Sequence, residues 1–492
     1  MRWSLYLSPL VAALWFGLWP ELEELTDPPI PGEIVFRSER PPLRSQSTDG
    51  SGGLASATGV EGKGGWSMDW LYDRFDDVMA WEHNPWQRNP EVFGSHYFRL
   101  QEGGEPSDPR HVAHLKELRR LGELLYQRVL ERYPELAVLN KDVPPEKNGF
   151  LKWLEFRERF DADPSRPGGE HNKEVGFPDA LKKHLNGEGP WDAAAMKAWL
   201  TKEKSLLNEI RAIGLMEEQS IVGIDPERWH FMSARLAKSS AEALLLEARL
   251  SAEEGNMAAA LESVRAANGL ADHFVQIETP TLLNATVEIL IRRQVQRYAL
   301  SEIIPAAPLE QFDAEAWEQA VNPVVSPPSE LARMMVGEWN LSSRWWLMPM
   351  LSNTDDPKYP SDPDALIDYH ATGFVETASA YSGQSPADWD SVVPPLAPGN
   401  MSHLSRESRQ LMELMFIGAE AWSGGFQKST HQAGMTQAAF AIMKGDPIPN
   451  DPVYGLPYQW DPVTRELKLP DGAEFRPSSV SDSITVPSTD LR

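Results

Sequence analysis

The chain has 492 residues, of which 41% are apolar and 24% charged, the balance of a folded globular protein with ample material for a large core. Its 72 Asp and Glu against 46 Lys and Arg leave a formal charge of −26, which repels phosphate backbones and argues against nucleic acid as a partner. The lack of any cysteine excludes disulfides, thiolate catalysis, thiolate zinc sites and iron–sulfur clusters, and suits an oxidising compartment.

The N-terminus reads MRWSLYLSPLVAALWFGLWPELEEL. An uncharged stretch from Trp3 to Trp19, with Arg2 before it and Glu21, Glu23 and Glu24 after it, has the form of a targeting or anchoring segment. Phe16-Gly17-Leu18-Trp19-Pro20 offers no small-x-small cleavage site. Residues 1–20 are therefore expected to form a signal anchor, with a cleaved signal peptide as the alternative. The basic flank precedes the apolar run, which predicts a single-pass inner-membrane protein with its bulk in the periplasm, or, after cleavage, a periplasmic one. Residues 21–65, with DPPIPGE, RPPLRSQSTDGSGG and GVEGKGG, read as a disordered tether, and residues 471–492 as a disordered tail.

The body is expected to be mainly α: an irregular helical bundle, with a helical domain over 66–300 and a proline-rich helical region over 301–470. Trp66 to Phe98 is dense in aromatics and acids, and its helical stripe is broken at Asn84-Pro85 and Asn89-Pro90. Leucines repeat at helical spacing from His111 to Tyr133, and Asp108-Pro109 marks a start. Further helices are predicted over Glu146–Phe160, Asp192–Met216, Pro226–Glu254 and Leu282–Leu300. Within Ser239–Phe274 the spacing of Gly255, Ala260 and Ala267 is that of a tetratricopeptide-like hairpin, in which small residues let two antiparallel helices approach closely. One good copy is present, short of the three that a solenoid needs.

Between Pro305 and Pro398 prolines accumulate around two helix candidates, Glu330–Met350 and Ala365–Tyr381. A last helical stretch, Ser402–Met443, is expected to break at Gly424-Gly425. The chain then reads NDPVYGLPYQWDPVTRELKLP over Asn450–Pro470. Each Asp-Pro restricts the residue before its proline to extended backbone, Gly455 supplies a turn, and PYQW and ELKL alternate as two short antiparallel strands. A small β-hairpin, within a cassette spanning 446–470, is predicted to close the ordered chain.

Three segments, DVPPEKNGFLKWLEFRERF (Asp142–Phe160), the Glu247–Phe274 hairpin and GDPIPNDPVYGLPYQWDPVTRELKLP, occur in an order that resembles a group of extracytoplasmic helical proteins of planctomycete-like and verrucomicrobium-like bacteria. The resemblance spans roughly Asp142 to Pro470 and brings no known activity. The chain departs from it before the cassette, where AAFAIMKGDPIPNDP stands in place of a Tyr-Arg, Gly-x-Tyr-Pro run. The cassette alone is similar to the C-terminal loop of type II secretion major pseudopilins, where such a loop helps organise a calcium site beside a small sheet. The pseudopilin processing signal is absent from this N-terminus.

No Gly-x-Ser-x-Gly, phosphate loop, Rossmann fingerprint or His-Glu-x-x-His is present. Candidate chemistry is therefore sought in looser groupings. His111, His114 and Glu117 have ligand-like spacing on a helix, against the plainer reading of a solvated helix start. Asp368, His370 and Glu376 contain the ingredients of a carboxylate-oriented base, although residues two apart do not face each other on a helix. Trp339, Arg344, Trp345 and Trp346 compose a possible apolar patch with one cation, suited to an envelope protein, a peptide or a glycan, with interhelical core as the alternative. Asp446, Asp451 and Asp461 offer oxygen ligands for calcium, against a purely structural hairpin. Two functional readings follow. One is a membrane-anchored scaffold or binding protein of the bacterial envelope; the other is a glycan-acting envelope hydrolase with two distant carboxylates in a Trp-lined cleft.

Overall fold

The computed structural model describes residues 109–167, 173–224, 234–352, 360–391, 398–415, 419–470 and 483–488. The expected anchor, the tether and the aromatic segment Trp66–Phe98 lie outside the described residues. What is described is mainly helical with a small antiparallel sheet at its C-terminal end.

The first helix, α1 (Pro109–Arg132), starts at the expected Asp-Pro. It is followed by α2 (Gly149–Ala162), α3 (Asp179–Leu185) and α4 (Ala193–Gly214). Asn148 and Asp192 cap α2 and α4 by accepting from the N–H groups of Leu151 and Ala195, which fixes where each helix begins. Next come α5 (Ala234–Glu253) and α6 (Met257–Val275), the predicted hairpin. Gly255 turns it at φ 76°, a conformation that costs glycine little, and Asn256 caps α6. The alanines Ala241, Ala248, Ala252, Ala260 and Ala267 are all fully buried along it.

Helix α7 (Leu282–Tyr298) runs on through a π-turn, Ala299–Ile303. The short helix α8 (Ala314–Val321), capped by Asp313 and closed by Asn322 in the left-handed region, was not foreseen within the proline-rich stretch. Helix α9 (Pro328–Ser342) also passes into a π-turn, Ser343–Leu347, and is followed by α10 (Pro363–Ser382). Two helices then close the bundle, α11 (Arg406–Met415) and α12 (Ala419–Lys444). The expected break at Gly424-Gly425 is absent. Both glycines lie inside α12, and a Cβ at Gly425 would meet open space, so nothing there competes with the helix.

Strands β1 (Gln459–Asp461) and β2 (Glu466–Lys468) form the predicted hairpin, with Trp460 opposite Leu467. A third strand, β3 (Ser483–Thr485), pairs antiparallel with β2. Part of the expected tail is thus ordered, because the β-branched run Ile484-Thr485-Val486 fits the edge that β2 leaves open.

The buried apolar side chains form two clusters. One takes in α2 and α4 to α8, the C-terminal half of α12 and the sheet. The other gathers α1, α9, α10 and the segments that follow them. They do not divide the chain near residue 300. Helix α7 places Leu282 and Ala285 in the second core and Val287, Ile291 and Val295 in the first, while α12 places Phe426 in the second and Phe440 in the first.

Between α6 and α7 the chain crosses from core to core as a non-helical linker whose residues Ile277 to Thr281 are buried. Side chains from elsewhere hold it in place. Arg333 donates to the carbonyls of Val275 and Ile277, and Lys141 to that of Gln276. The Glu278 carboxylate accepts from Ser220 Oγ at 2.6 Å and from the N–H groups of Ile221 and Lys141. Glu338, on α9, accepts from the Leu282 N–H at the first turn of α7, 3.1 Å away, and burial pushes its carboxyl up to about 7.

Close helix crossings depend on glycine. A Cβ on Gly269 of α6 would run into the Gly214 carbonyl of α4, and one on Gly214 into the Ala266 carbonyl. Gly269→Ala is therefore expected to lower the unfolding free energy by about 2 kcal/mol through overpacking, whereas Gly425→Ala should raise it by up to about 1 kcal/mol through helix propensity. Urea unfolding followed by tryptophan fluorescence compares the two. Glu338 gives a pH signature. Its folded value lies above the ordinary carboxylate value of about 4.3, so stability is greatest below that pH and falls as pH rises towards 7. Glu338→Gln, which keeps an acceptor for Leu282, should be more stable than the native chain by about 2 kcal/mol at pH 8 and nearly equal to it at pH 4, read from urea titrations at the two pH values.

Candidate functional site

The Trp-Arg grouping separates by depth. Trp339 lies on the inward face of α9 with 0% exposure and stacks on Tyr126 of α1 at 5.5 Å. Arg344 is held at the surface by the π-turn that extends α9. It pairs with Glu123 at 2.7 Å, and its guanidinium lies 5.4 Å from the centre of the same Tyr126 ring. The Tyr126 hydroxyl bonds Asn340, whose amide reaches the Leu136 carbonyl. Tyr126 thus joins the two residues, but the aromatic face of Trp339 is spent on the core and only the Arg344–Glu123 pair meets solvent. The backbones of Trp345 and Trp346 lie in the π-turn, and their side chains are outside what is described.

The C-terminal cassette is organised by one carboxylate. Asp451, fully buried, accepts from the N–H groups of Val453 and Tyr454 at 3.0 and 2.8 Å, from the Tyr458 hydroxyl at 3.2 Å and from His431 Nδ1 at 2.8 Å. Burial pushes the Asp451 carboxyl up, but the bonds from His431, Tyr454 and Tyr458 outweigh it and hold it below the usual range. An ionised carboxylate has no proton to give, so His431 carries its proton on Nδ1. Burial and the Asp451 charge push the Tyr458 hydroxyl up. One turn beyond His431 on α12, a Cβ at Gly434 would collide with Pro452 and the Tyr458 hydroxyl. The cassette therefore seats its proline and tyrosine in a notch of α12, and the His431–Asp451 bond fastens it there.

Asp461 caps the β1–β2 turn by accepting from Val463 N–H at 2.8 Å, and Asp446 pairs with Lys444 at 3.3 Å. The three aspartates considered for calcium thus serve three separate places. Among the described residues no group of three or more His, Asp or Glu side chains is placed to hold a metal ion.

The other groupings are also taken up locally. His370 is fully buried between Ser342 Oγ, 3.3 Å from Nε2, and Ser343 Oγ, 3.2 Å from Nδ1, and burial pushes it down to about 3. Asp368 accepts from Arg132 and from the Tyr133 hydroxyl at 2.9 Å, joining α10 to α1. Glu376 lies further along α10, its Oε1 buried and unbonded. The structure therefore does not bring Asp368, His370 and Glu376 together. Glu117 pairs with Arg120 at 2.7 Å; the side chains of His111 and His114 are outside what is described.

One constellation had no signal in the sequence. His184 Nε2 lies 2.8 Å from the Tyr298 hydroxyl and 3.8 Å from Glu302 in the π-turn after α7. Beside them Trp191 donates to Glu253 at 2.6 Å, and Arg249 lies over the Trp191 ring. Its members come from four separate segments, so no local spacing announces it. A shallow depression between α2 and α4 has Ala212, Ile213 and Met216 in its wall and charged neighbours paired as Lys152–Glu155 and Arg159–Glu209.

The chain matches no family model, no curated protein and no solved structure.

Removing one partner of the buried clasp exposes its cost. Asp451→Asn should destabilise the protein by about 3 kcal/mol at pH 7. The folded value of Asp451 is depressed, so its contribution is present above the unfolded carboxylate value of about 3.9 and is lost as pH falls through the folded one. The gap between native and variant urea midpoints should accordingly shrink between pH 6 and pH 3.

Proposed function

We propose that this chain is a membrane-anchored, extracytoplasmic helical scaffold or binding protein of the bacterial envelope. The observation that carries the proposal is where the chemistry-bearing side chains are spent. Asp451 with His431, Asp368 with Arg132, and His370 with its two serines each hold one element against another inside the protein. Among the described residues Trp153, Trp317, Trp339 and Trp389 are fully buried and fill the two cores. A body built in this way offers a rigid surface rather than a lined cleft.

The envelope location rests on the Trp3–Trp19 segment and on the cysteine-free composition. No described helix is long and apolar enough to cross a membrane. The resemblance to extracytoplasmic helical proteins supports the same compartment. The face we assign to a partner is that of Arg344, an exposed cation paired with Glu123 and lying against the buried Tyr126 ring.

Two measurements test the proposal. The full chain should sediment with membranes and resist carbonate extraction, and deletion of residues 1–20 should release it. A photoreactive amino acid at position 344 should yield a discrete cross-linked species in intact cells, and Glu123→Lys, which reverses the charge beside it, should remove that species. Release of soluble sugar fragments from isolated cell-wall glycan by the purified full chain would instead establish the glycan-acting hydrolase.

A further inference from the structure

Glycine follows asparagine three times in this chain, at Asn148-Gly149, Asn186-Gly187 and Asn268-Gly269. With no Cβ to shield it, a glycine nitrogen is open to the side chain before it, so each pair holds the two reactants of an intramolecular cyclisation. The structure withdraws two of the three. Asn148 is buried as the cap of α2: its Oδ1 accepts from the Leu151 and Ser220 N–H groups, both at 3.2 Å, and its Nδ2 donates to the Ser220 carbonyl at 2.8 Å. The Gly149 N–H is spent on the Glu218 carbonyl. Asn268 is buried within α6, where Nδ2 donates to the carbonyls of Ala320 and Val321, both at 2.7 Å, and Gly269 is packed against the Gly214 carbonyl.

Asn186-Gly187 is built differently. It closes α3, a helix of seven residues, with Asn186 at φ −82° and ψ −5° and Gly187 in the left-handed region at φ 72°. The Glu188 N–H donates to the Lys183 carbonyl at 2.8 Å and the Gly187 N–H to that of His184 at 2.9 Å, the paired bonds of a Schellman turn. Asn186, Gly187 and Glu188 are exposed, and the Asn186 carboxamide takes part in no hydrogen bond among the described residues. A Cβ on Gly187 would meet open space, so the turn has room for a ring. Cyclisation needs ψ of Asn186 to swing away from −5°. That movement opens two bonds at the end of a short helix, where local opening costs least, and disturbs no core side chain.

We infer that Asn186-Gly187 is a site of spontaneous deamidation in the folded protein, and that burial keeps Asn148 and Asn268 as amides. The Gly187 nitrogen gives its proton to hydroxide and bonds to Cγ of Asn186. The Cγ–Nδ2 bond breaks, Nδ2 takes a proton from water and leaves as ammonia, and a succinimide ring remains. Water then opens the ring at one of its two carbonyls. Opening at the side-chain carbonyl leaves aspartate; opening at the main-chain carbonyl leaves isoaspartate, with one more methylene in the backbone. Either product puts a negative charge at the C-terminal end of α3, where the helix dipole disfavours it, and isoaspartate also takes the Schellman bonds out of register. Two residues back, His184 bonds the Tyr298 hydroxyl at 2.8 Å, so the reaction loosens the contact that fastens α3 to the end of α7. The end of α3 thus records the age of the folded chain.

The test incubates the full-length chain at pH 6 and at pH 9, then digests it with pepsin at low pH, where the reaction does not proceed, and follows the three pairs by mass spectrometry. Asn186 should deamidate at least about tenfold faster than Asn148 or Asn268, which react only on global unfolding, and faster at pH 9 than at pH 6. An enzymatic isoaspartate assay should give a signal that Asn186→Gln removes while circular dichroism stays native. Equal rates at the three pairs would place the reaction in the unfolded chain and overturn the inference. So would an Asn186 that stays an amide at pH 9, or an isoaspartate signal that survives Asn186→Gln. The acidic form, separated by anion exchange, should melt at a lower temperature than the unreacted chain; identical melting would overturn the link from the α3 turn to His184.

Discussion

The constraint on which the rest of this structure turns is the buried, non-helical passage from α6 to α7. A helix satisfies its own N–H and C=O groups; a stretch such as Ile277–Thr281 does not, and buried backbone without partners costs about 1 to 3 kcal/mol for each group left unbonded. Here the partners arrive from four directions. Arg333 of α9 takes the Ile277 carbonyl and Asn284 of α7 the Thr281 N–H, Glu338 of α9 takes the Leu282 N–H, and the Glu278 carboxylate is held by Ser220 and Lys141 from the loops after α4 and before α2. The position of each of those elements is thereby tied to the linker. Gly337 belongs to the same set, since a Cβ there would strike the Pro280 carbonyl and lift α9 away.

Given that crossing, the two cores cannot be independent. Helix α7 begins in one and continues into the other, and α12 packs beside it and does the same. Two charged groups of α7 are buried together: Arg292 bonds Glu288 on its own helix and Asp272 on α6 at 2.7 Å. Burial pushes the Glu288 carboxyl up, and the adjacent guanidinium works against that push. His273 is handled differently. Burial pushes it down to about 4, so it stays neutral and gives its Nε2 proton to the Ile213 carbonyl, 2.8 Å away, at the crossing of α4 and α6.

Much of the architecture was legible in local signals. Leucine spacing located α1, an aromatic stripe over Glu146–Phe160 located α2, and Gly255 with its alanines located the α5–α6 hairpin. Alternation around Gly455 and the two Asp-Pro pairs located β1 and β2. What was not legible depends on residues far apart in the chain. Trp339 stood between a patch for a partner and interhelical core, because the stacking partner that draws it inward, Tyr126, comes from α1. Asp451 read as a ligand for an ion because its histidine, on the preceding helix, is visible only once the cassette folds back. Strand β3 was hidden in a Ser-rich tail because its β-branched run, Ile484-Thr485-Val486, is too short to announce a strand without the edge of β2 on which it pairs.

The cassette, finally, is best understood by asking what the end of α12 would be without it. Gly434 leaves a notch in that helix, and the side chains facing it include His431, which is 1% exposed. An uncovered notch would open the Gly434 face of α12 to water and leave an imidazole without its carboxylate. Pro452 and Tyr458 fill the notch, Asp451 accepts from His431 Nδ1, and Leu467 and Leu469 belong to the same core. Taking away a buried carboxylate's hydrogen-bonded partner, or the carboxylate itself, costs about 3 kcal/mol, against a total of about 5 to 15 kcal/mol for a folded domain. A segment at the far end of the chain thus contributes a large share of the stability of a core that begins some three hundred residues earlier with Phe150. The two Asp-Pro pairs restrict the unfolded cassette before it docks, so less entropy is lost when the clasp closes.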